Sequence, residues 1–178
     1  MQLKKIILIL IIFITNVISQ PLSDQMSKAM KEFDNGNYST SFKLFEKISE
    51  REDLNGDEKS TAAYYSARAL FKLEELNGAI SRYEGYLDKY ELSELRDNAL
   101  FDLGRCYFKK GEYYNCRTTL VQLLLEYPNS EFFGTANYWI AEAYEKENKN
   151  LDAEKYYLEA VSNSSTNELI DNTIYSLA

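Results

Sequence analysis

The chain has 178 residues, 45% of them hydrophobic and 27% charged, with 28 acids against 20 basic residues and a formal net charge of −8. That acidity argues against nucleic acid and anionic lipid as partners, because both are held by clustered positive charge. Histidine is absent and only Cys106 and Cys116 carry thiols, which removes the commonest general base and leaves too few ligands for a structural zinc site.

Residues 1–19 read as an export signal. Lys4 and Lys5 supply a basic start, Ile6 to Ile14 an apolar run, and Val17-Ile18-Ser19 the residues a signal peptidase reads. The run is shorter than the roughly 20 apolar residues that span a bilayer. Because the tract continues weakly through Val17 and Ile18, a retained anchor is the alternative. Neither cysteine lies near this segment to accept a lipid. Cleavage removes two basic residues and no acid, moving the net charge from −8 to −10. The mature chain, 20–178, is then expected to be exported to the periplasm, and to be one continuous body, since it has no low-complexity linker.

From there the chain repeats at 37 residues, in units of about 22–59, 60–96, 97–133 and 134–170, with an incomplete fifth at 171–178. A period of this size marks stacked helical hairpins, each covering its neighbour's apolar face. The first unit is degenerate, with Ala29, Phe33, Gly36, Tyr38, Ser41 and Phe45 in the repeat roles. Its exit, Asp53-Leu54-Asn55-Gly56-Asp57, imitates the start of a calcium loop but lacks the glycine and carboxylate needed at positions 6 and 12. An Asn-Gly turn with Asp57 capping the next helix explains the same residues.

The second unit aligns Ser60-Thr61-Ala62-Ala63-Tyr64-Tyr65-Ser66-Ala67 with Asp97-Asn98-Ala99-Leu100-Phe101-Asp102-Leu103-Gly104 of the third. In the third, Leu100, Leu103, Gly104 and Tyr107 form a helical stripe, Lys110-Gly111-Glu112 breaks it, and Cys116, Leu120, Leu123, Leu124 and Tyr127 form a second. Pro128-Asn129-Ser130 ends that stripe, with Ser130 placed to cap the following helix. Small residues twelve apart, Ala67 with Ala79, Gly104 with Cys116 and Ala141 with Ala153, predict where paired helices cross closely. The fourth unit carries Asn148 and Asn150 where Gly and Tyr are usual. The chain ends at Ala178, one helix into the fifth unit, which suggests a truncated array, with self-association through the open end at Tyr175 as a further expectation.

The pattern small-x2-Tyr, Gly-x-Tyr, a small residue, an aromatic and a closing Pro resembles the tetratricopeptide repeat over about residues 24–178. The resemblance implies an all-α, right-handed solenoid whose first helices line a concave groove. The 37-residue length, with Tyr127-Pro128-Asn129-Ser130 ahead of Ala136-Asn137-Tyr138-Trp139-Ile140-Ala141, resembles an envelope subset. That subset includes the Tol-Pal-associated cell-division coordinator and the lipoprotein of the outer-membrane barrel-assembly machine. This chain departs from both: it lacks the N-terminal cysteine that would be acylated, and has no room for a trimerising coiled coil before the repeats.

Groove-facing positions five, nine, twelve and thirteen of each unit then define the candidate site. They are Tyr64, Phe101, Tyr138 and Tyr175; Arg68, Arg105 and Glu142; Phe71, Phe108 and Glu145; and Lys72, Lys109 and Lys146. Aromatic and guanidinium groups dominate interface energies, so these residues suit capture of a protein or peptide partner. Plain packing of unit on unit is the other explanation. Cys106 and Cys116 flank one turn, so either a disulfide or two small packing residues is open.

No phosphate-binding glycine loop or nucleophile elbow occurs, and paired acids such as Glu74-Glu75 fall at predicted turns. The expectation is a non-catalytic scaffold without cofactor or metal, in outer-membrane biogenesis or division. An accessory solenoid of a larger exported cell-wall enzyme is the competing reading.

Overall fold

The computed structural model describes residues 22–162 and Thr173. Among these, eight helices follow in order without a strand: α1 (Leu22–Asp34), α2 (Tyr38–Ser49), α3 (Gly56–Lys72), α4 (Leu76–Lys89), α5 (Arg96–Lys110), α6 (Tyr113–Glu126), α7 (Phe133–Glu145) and α8 (Asn150–Ser162). The export segment, Tyr175 and the open end lie outside the described residues.

Each helix packs on the one before and the one after it, which is the connectivity of an α-solenoid. First helices of neighbouring units also touch, α3 with α5 and α5 with α7, while the second helices make no comparable contact. An array drawn together along one edge bends toward that edge. The first helices therefore line the inside of the curve.

Hairpin turns share one device. Gly36, Glu74, Gly111 and Asn148 occupy the same place in successive units and all have left-handed backbones, with φ of 79°, 61°, 79° and 58°. The next amide donates back five residues: Asn37 to the Glu32 carbonyl (2.8 Å), Glu75 to Leu70 (3.0 Å), Glu112 to Tyr107 (2.9 Å) and Lys149 to Tyr144 (3.0 Å). This closure satisfies carbonyls at the helix end. It forms equally at Glu74 and Asn148, so the loss of glycine in unit 4 leaves the turn intact.

The small residues do lie at the helix crossings. Ala29, Ser41, Ala67, Ala79, Gly104, Cys116, Ala141 and Ala153 are all buried, and the Ser41 hydroxyl donates to the Ala29 carbonyl at 3.1 Å. A Cβ added to Gly104 would lie 2.5 Å from Leu120 Cδ2, closer than carbon atoms can approach. At the place of Leu120 the neighbouring units carry Tyr83 and Tyr157, and there the first helix carries alanine.

Two capping expectations are corrected. α3 begins at Gly56, and its cap is Asn55, whose Oδ1 accepts from the Glu58 amide (2.9 Å) while the Asn55 amide donates to Glu58 Oε2 (3.2 Å). The Asn-Gly pair therefore starts the helix two residues before Asp57, and Asp53 is bound to Arg51 (2.6 Å), so these oxygens serve a cap and an ion pair. Ser130 does not cap α7, which begins at Phe133; its Oγ accepts from the Phe132 amide (3.2 Å) and donates to Asp97 Oδ2 (2.7 Å). One period earlier the Ser93 hydroxyl makes the same turn contact and donates to Ser60 Oγ (3.3 Å). These serines lock each closing turn onto the start of its own unit.

The core is a chain of clusters at the unit junctions. Phe33, Phe45 and Ile48 pack with Ala62 and Ala69; Tyr83 and Tyr86 with Ala99, Leu103 and Cys106; Leu100, Cys116, Leu120 and Leu123 with Ala136 and Ile140. Opposite sides of α5 thus serve two junctions. Cys106 and Cys116 carry free, buried thiols, each in a different cluster, and burial pushes both up to about 12. Thr173, third residue of the fifth unit, is fully buried like its counterparts Ala62, Ala99 and Ala136.

Candidate binding groove

On the inner face, α3 and α5 meet over one carboxylate. Asp102 of α5 is buried, a costly place for an ionised acid unless its oxygens are satisfied. Oδ2 accepts from the Tyr64 hydroxyl of α3 (3.0 Å) and the Tyr83 hydroxyl of α4 (3.2 Å), and Oδ1 from Arg105 Nη1 (3.3 Å). Arg68 Nε stands 3.8 Å from Oδ2. The carboxylate thereby ties the second unit to the third. Burial first, and the facing Asp102 charge second, hold the Tyr64 and Tyr83 phenols far above their ordinary range, so both remain donors.

Above Asp102 the two arginines are only partly covered, with side chains 37% (Arg68) and 34% (Arg105) exposed. Aromatic rings fix their planes. The Arg68 guanidinium lies 5.6 Å from the Phe33 ring and 5.9 Å from Tyr65, and that of Arg105 lies 5.0 Å from Phe71 and 5.6 Å from Phe101. Each guanidinium has five N–H donors, and Asp102 uses few of them. Two positive charges resting on one negative leave a surplus directed at the groove. Planar, oriented guanidinium groups bind carboxylate or phosphate oxygens in pairs.

The remaining candidates divide by burial. Tyr64 is 2% and Phe101 7% exposed, and Phe71 is also buried, so these rings pack units together and support the arginines instead of forming an open ladder. Phe101 stacks on Phe132 at 4.5 Å. Phe108 is half-buried against Trp139 and Tyr113. Tyr138 is half-buried beside Trp139 and Tyr157, its phenol pushed up to about 12 by burial and then by Glu142. Lys72 and Lys146 are exposed; Lys109 is exposed too, but bridges to Glu74 (2.9 Å) over the Phe71 ring.

In unit 4 the arrangement changes sign. Glu142 and Glu145 of α7 stand where Arg105 and Phe108 stand in α5, and both face the Tyr157 hydroxyl of α8, at 2.6 and 2.7 Å. Asp102, Tyr83 and Tyr157 were missed as site residues. A signal for the first existed: position six is Tyr65, Asp102 and Trp139, so an acid interrupts an aromatic series.

Residues 98–130 match the tetratricopeptide repeat family. The fold is a tetratricopeptide-repeat solenoid. Similar solved structures include the nearly identical repeats of a Podosopora anserina protein named as a kinesin light chain (15% identity, 88% of this chain and 82% of that one, TM-score 0.70). Another is MamA from Desulfovibrio magneticus RS-1 (12%, 89% and 92%, TM-score 0.70). The N-terminal domain of stress-induced protein-1 from C. elegans is a third (15%, 67% and 94%, TM-score 0.56). At these identities the likeness is one of fold. A search of curated proteins finds no significant sequence match.

Proposed function

We propose that this solenoid is a non-catalytic interaction scaffold that holds a segment of a protein partner along the inner face of its first helices. The observation that carries this reading is the pair Arg68 and Arg105, held half-exposed in fixed planes over aromatic rings by a single buried Asp102. Surface arginines are ordinarily mobile and give up side-chain entropy on binding; these have already lost it, which favours association. The repeat fold supports the same reading, since stacked hairpins present long continuous surfaces. Among the described residues no helix is long and apolar enough to cross a membrane.

The location belongs to the proposal as well. The basic-apolar-small order of residues 1–19 supports export to the periplasm, and the 37-residue unit supports a place among envelope scaffolds of outer-membrane biogenesis or division. N-terminal sequencing of the protein recovered from the periplasmic fraction should begin after Ser19; recovery of intact Met1 in the membrane fraction would favour an anchor.

The groove is tested by crosslinking pull-down from native periplasm with wild type and with Arg68→Gln/Arg105→Gln. The variant keeps both tyrosine donors to Asp102 and should keep its helical signal, with a lowered melting temperature because the buried carboxylate loses its counter-charges. Loss of the specific crosslinked species supports the groove. Undiminished capture by the folded variant refutes it.

A further inference from the structure

The inner face is cationic at one end and anionic at the other, and the change happens at equivalent positions of the repeat. Position nine reads Arg68, Arg105, Glu142, and position twelve reads Phe71, Phe108, Glu145. Arg68 and Arg105 share one carboxylate, leaving positive charge unmatched. Glu142 and Glu145 share the Tyr157 hydroxyl, whose single hydrogen serves one carboxylate at a time, and the Tyr138 hydroxyl also meets Glu142. Among the described residues neither glutamate forms an ion pair with a lysine or arginine. The position-thirteen line Lys72, Lys109, Lys146 runs through all three units unchanged, so the switch is confined to positions nine and twelve.

We propose that the groove selects a charge-split partner: an extended segment with acidic residues over units 2 and 3 and a basic residue over unit 4. This rests on the groove being the binding face. Packed helices lie roughly 8–10 Å apart, and a segment in the extended polyproline II form rises about 3.1 Å per residue with three residues per turn, so every third side chain returns to the same face. Like positions of neighbouring units therefore meet side chains about three residues apart along the segment. The motif is an acid, a second acid three residues on, and a lysine or arginine three residues beyond, in one chain direction or the other. A wholly acidic segment would meet Glu142 and Glu145 with like charge, which suppresses binding of the wrong partner.

Fluorescence anisotropy with nine-residue, end-blocked peptides tests this. Three peptides share a Gly/Ser/Ala background and carry Glu-Glu-Lys, Lys-Glu-Glu or Glu-Glu-Glu at positions 2, 5 and 8. The better of the two split peptides should bind at least about tenfold tighter than the all-acidic one at low salt. Glu142→Lys should reverse that order. The isosteric pair Glu142→Gln/Glu145→Gln should bring the peptides within about threefold of each other, with circular dichroism unchanged. Equal binding of split and all-acidic peptides by wild type overturns the directional groove. If that equal binding is lost in Arg68→Gln/Arg105→Gln, the groove itself stands. No binding of any peptide up to millimolar concentration overturns both readings. Sedimentation showing a dimer that the peptides cannot dissociate, but that Glu142→Lys does, makes a second copy the occupant and also overturns the proposal.

Discussion

Units 2 and 3 present arginine at the ninth position of their first helix, and unit 4 presents glutamate. Both choices rest on a tyrosine of a second helix: Tyr83 reaches Asp102 beneath the arginines, and Tyr157 reaches Glu142 and Glu145 directly. In the first case a buried acid is the support and the exposed groups are cations. In the second the acids themselves are the exposed groups. The tyrosine stands at this position in units 2 and 4, where unit 3 has Leu120, and the sign of the groove follows from which first-helix residue the tyrosine meets. Charge can therefore change from unit to unit without disturbing the stack.

Three perturbations test that contrast, in descending order of effect. Asp102→Ala strands two buried hydroxyls and removes the counter-charge from two arginines. Breaking a buried pair typically costs about 3–5 kcal/mol, and the lower end applies because both arginines are partly solvated. Urea unfolding should show the loss, and a cost under about 1 kcal/mol would mean Asp102 does not hold units 2 and 3 together.

Next comes Gly104→Ala, the residue that stands naturally at that position as Ala67 and Ala141. In unit 3 the branched Leu120 leaves no space, so the new methyl group should cost about 1–3 kcal/mol by overpacking. Pairing it with Leu120→Tyr, which restores the combination of the neighbouring units, should recover part of the loss. Additive costs would show that the two positions are not coupled.

The smallest effect is expected in unit 4 on acidification. A hydrogen bond from Lys149, and then one from Arg117, hold the Glu147 carboxylate below its ordinary value of 4.5. A depressed carboxylate contributes stability that is present above that value and is lost as pH falls through the folded one. Glu147→Gln should thus be destabilised by less than about 1 kcal/mol at pH 7, with the gap to wild type closing below about pH 4. A gap unchanged down to pH 3 would show that the ion pair contributes nothing.

Much of the architecture was legible in the chain. The 37-residue period predicted paired helices, and small residues twelve apart predicted their crossings, because close approach excludes side-chain volume wherever it occurs. Turn glycines were legible too, although Glu74 adopts the same left-handed turn without being one. The closing hydrogen bond and the packing of both helices outweigh the modest steric penalty there. The caps were less legible. Asn55 and Ser130 each had a plausible neighbour or role within a few residues, and local spacing alone does not choose between them.

The candidate site was legible only as a list of positions. Repeat numbering placed Arg68, Arg105 and Glu142 on one face, since helical periodicity is a local property that 37-residue spacing carries from unit to unit. Whether Tyr64 and Phe101 faced a ligand or the core was decided by how the next hairpin covers them. Asp102 acquired its role from Tyr64 and Tyr83, 38 and 19 residues away. Sequence by itself determined the repeating scaffold, because its helices, turns and small-residue contacts depend on near neighbours in the chain. Only the tertiary structure decided which polar groups are buried together, because desolvation and hydrogen bonding act through space between helices of different units.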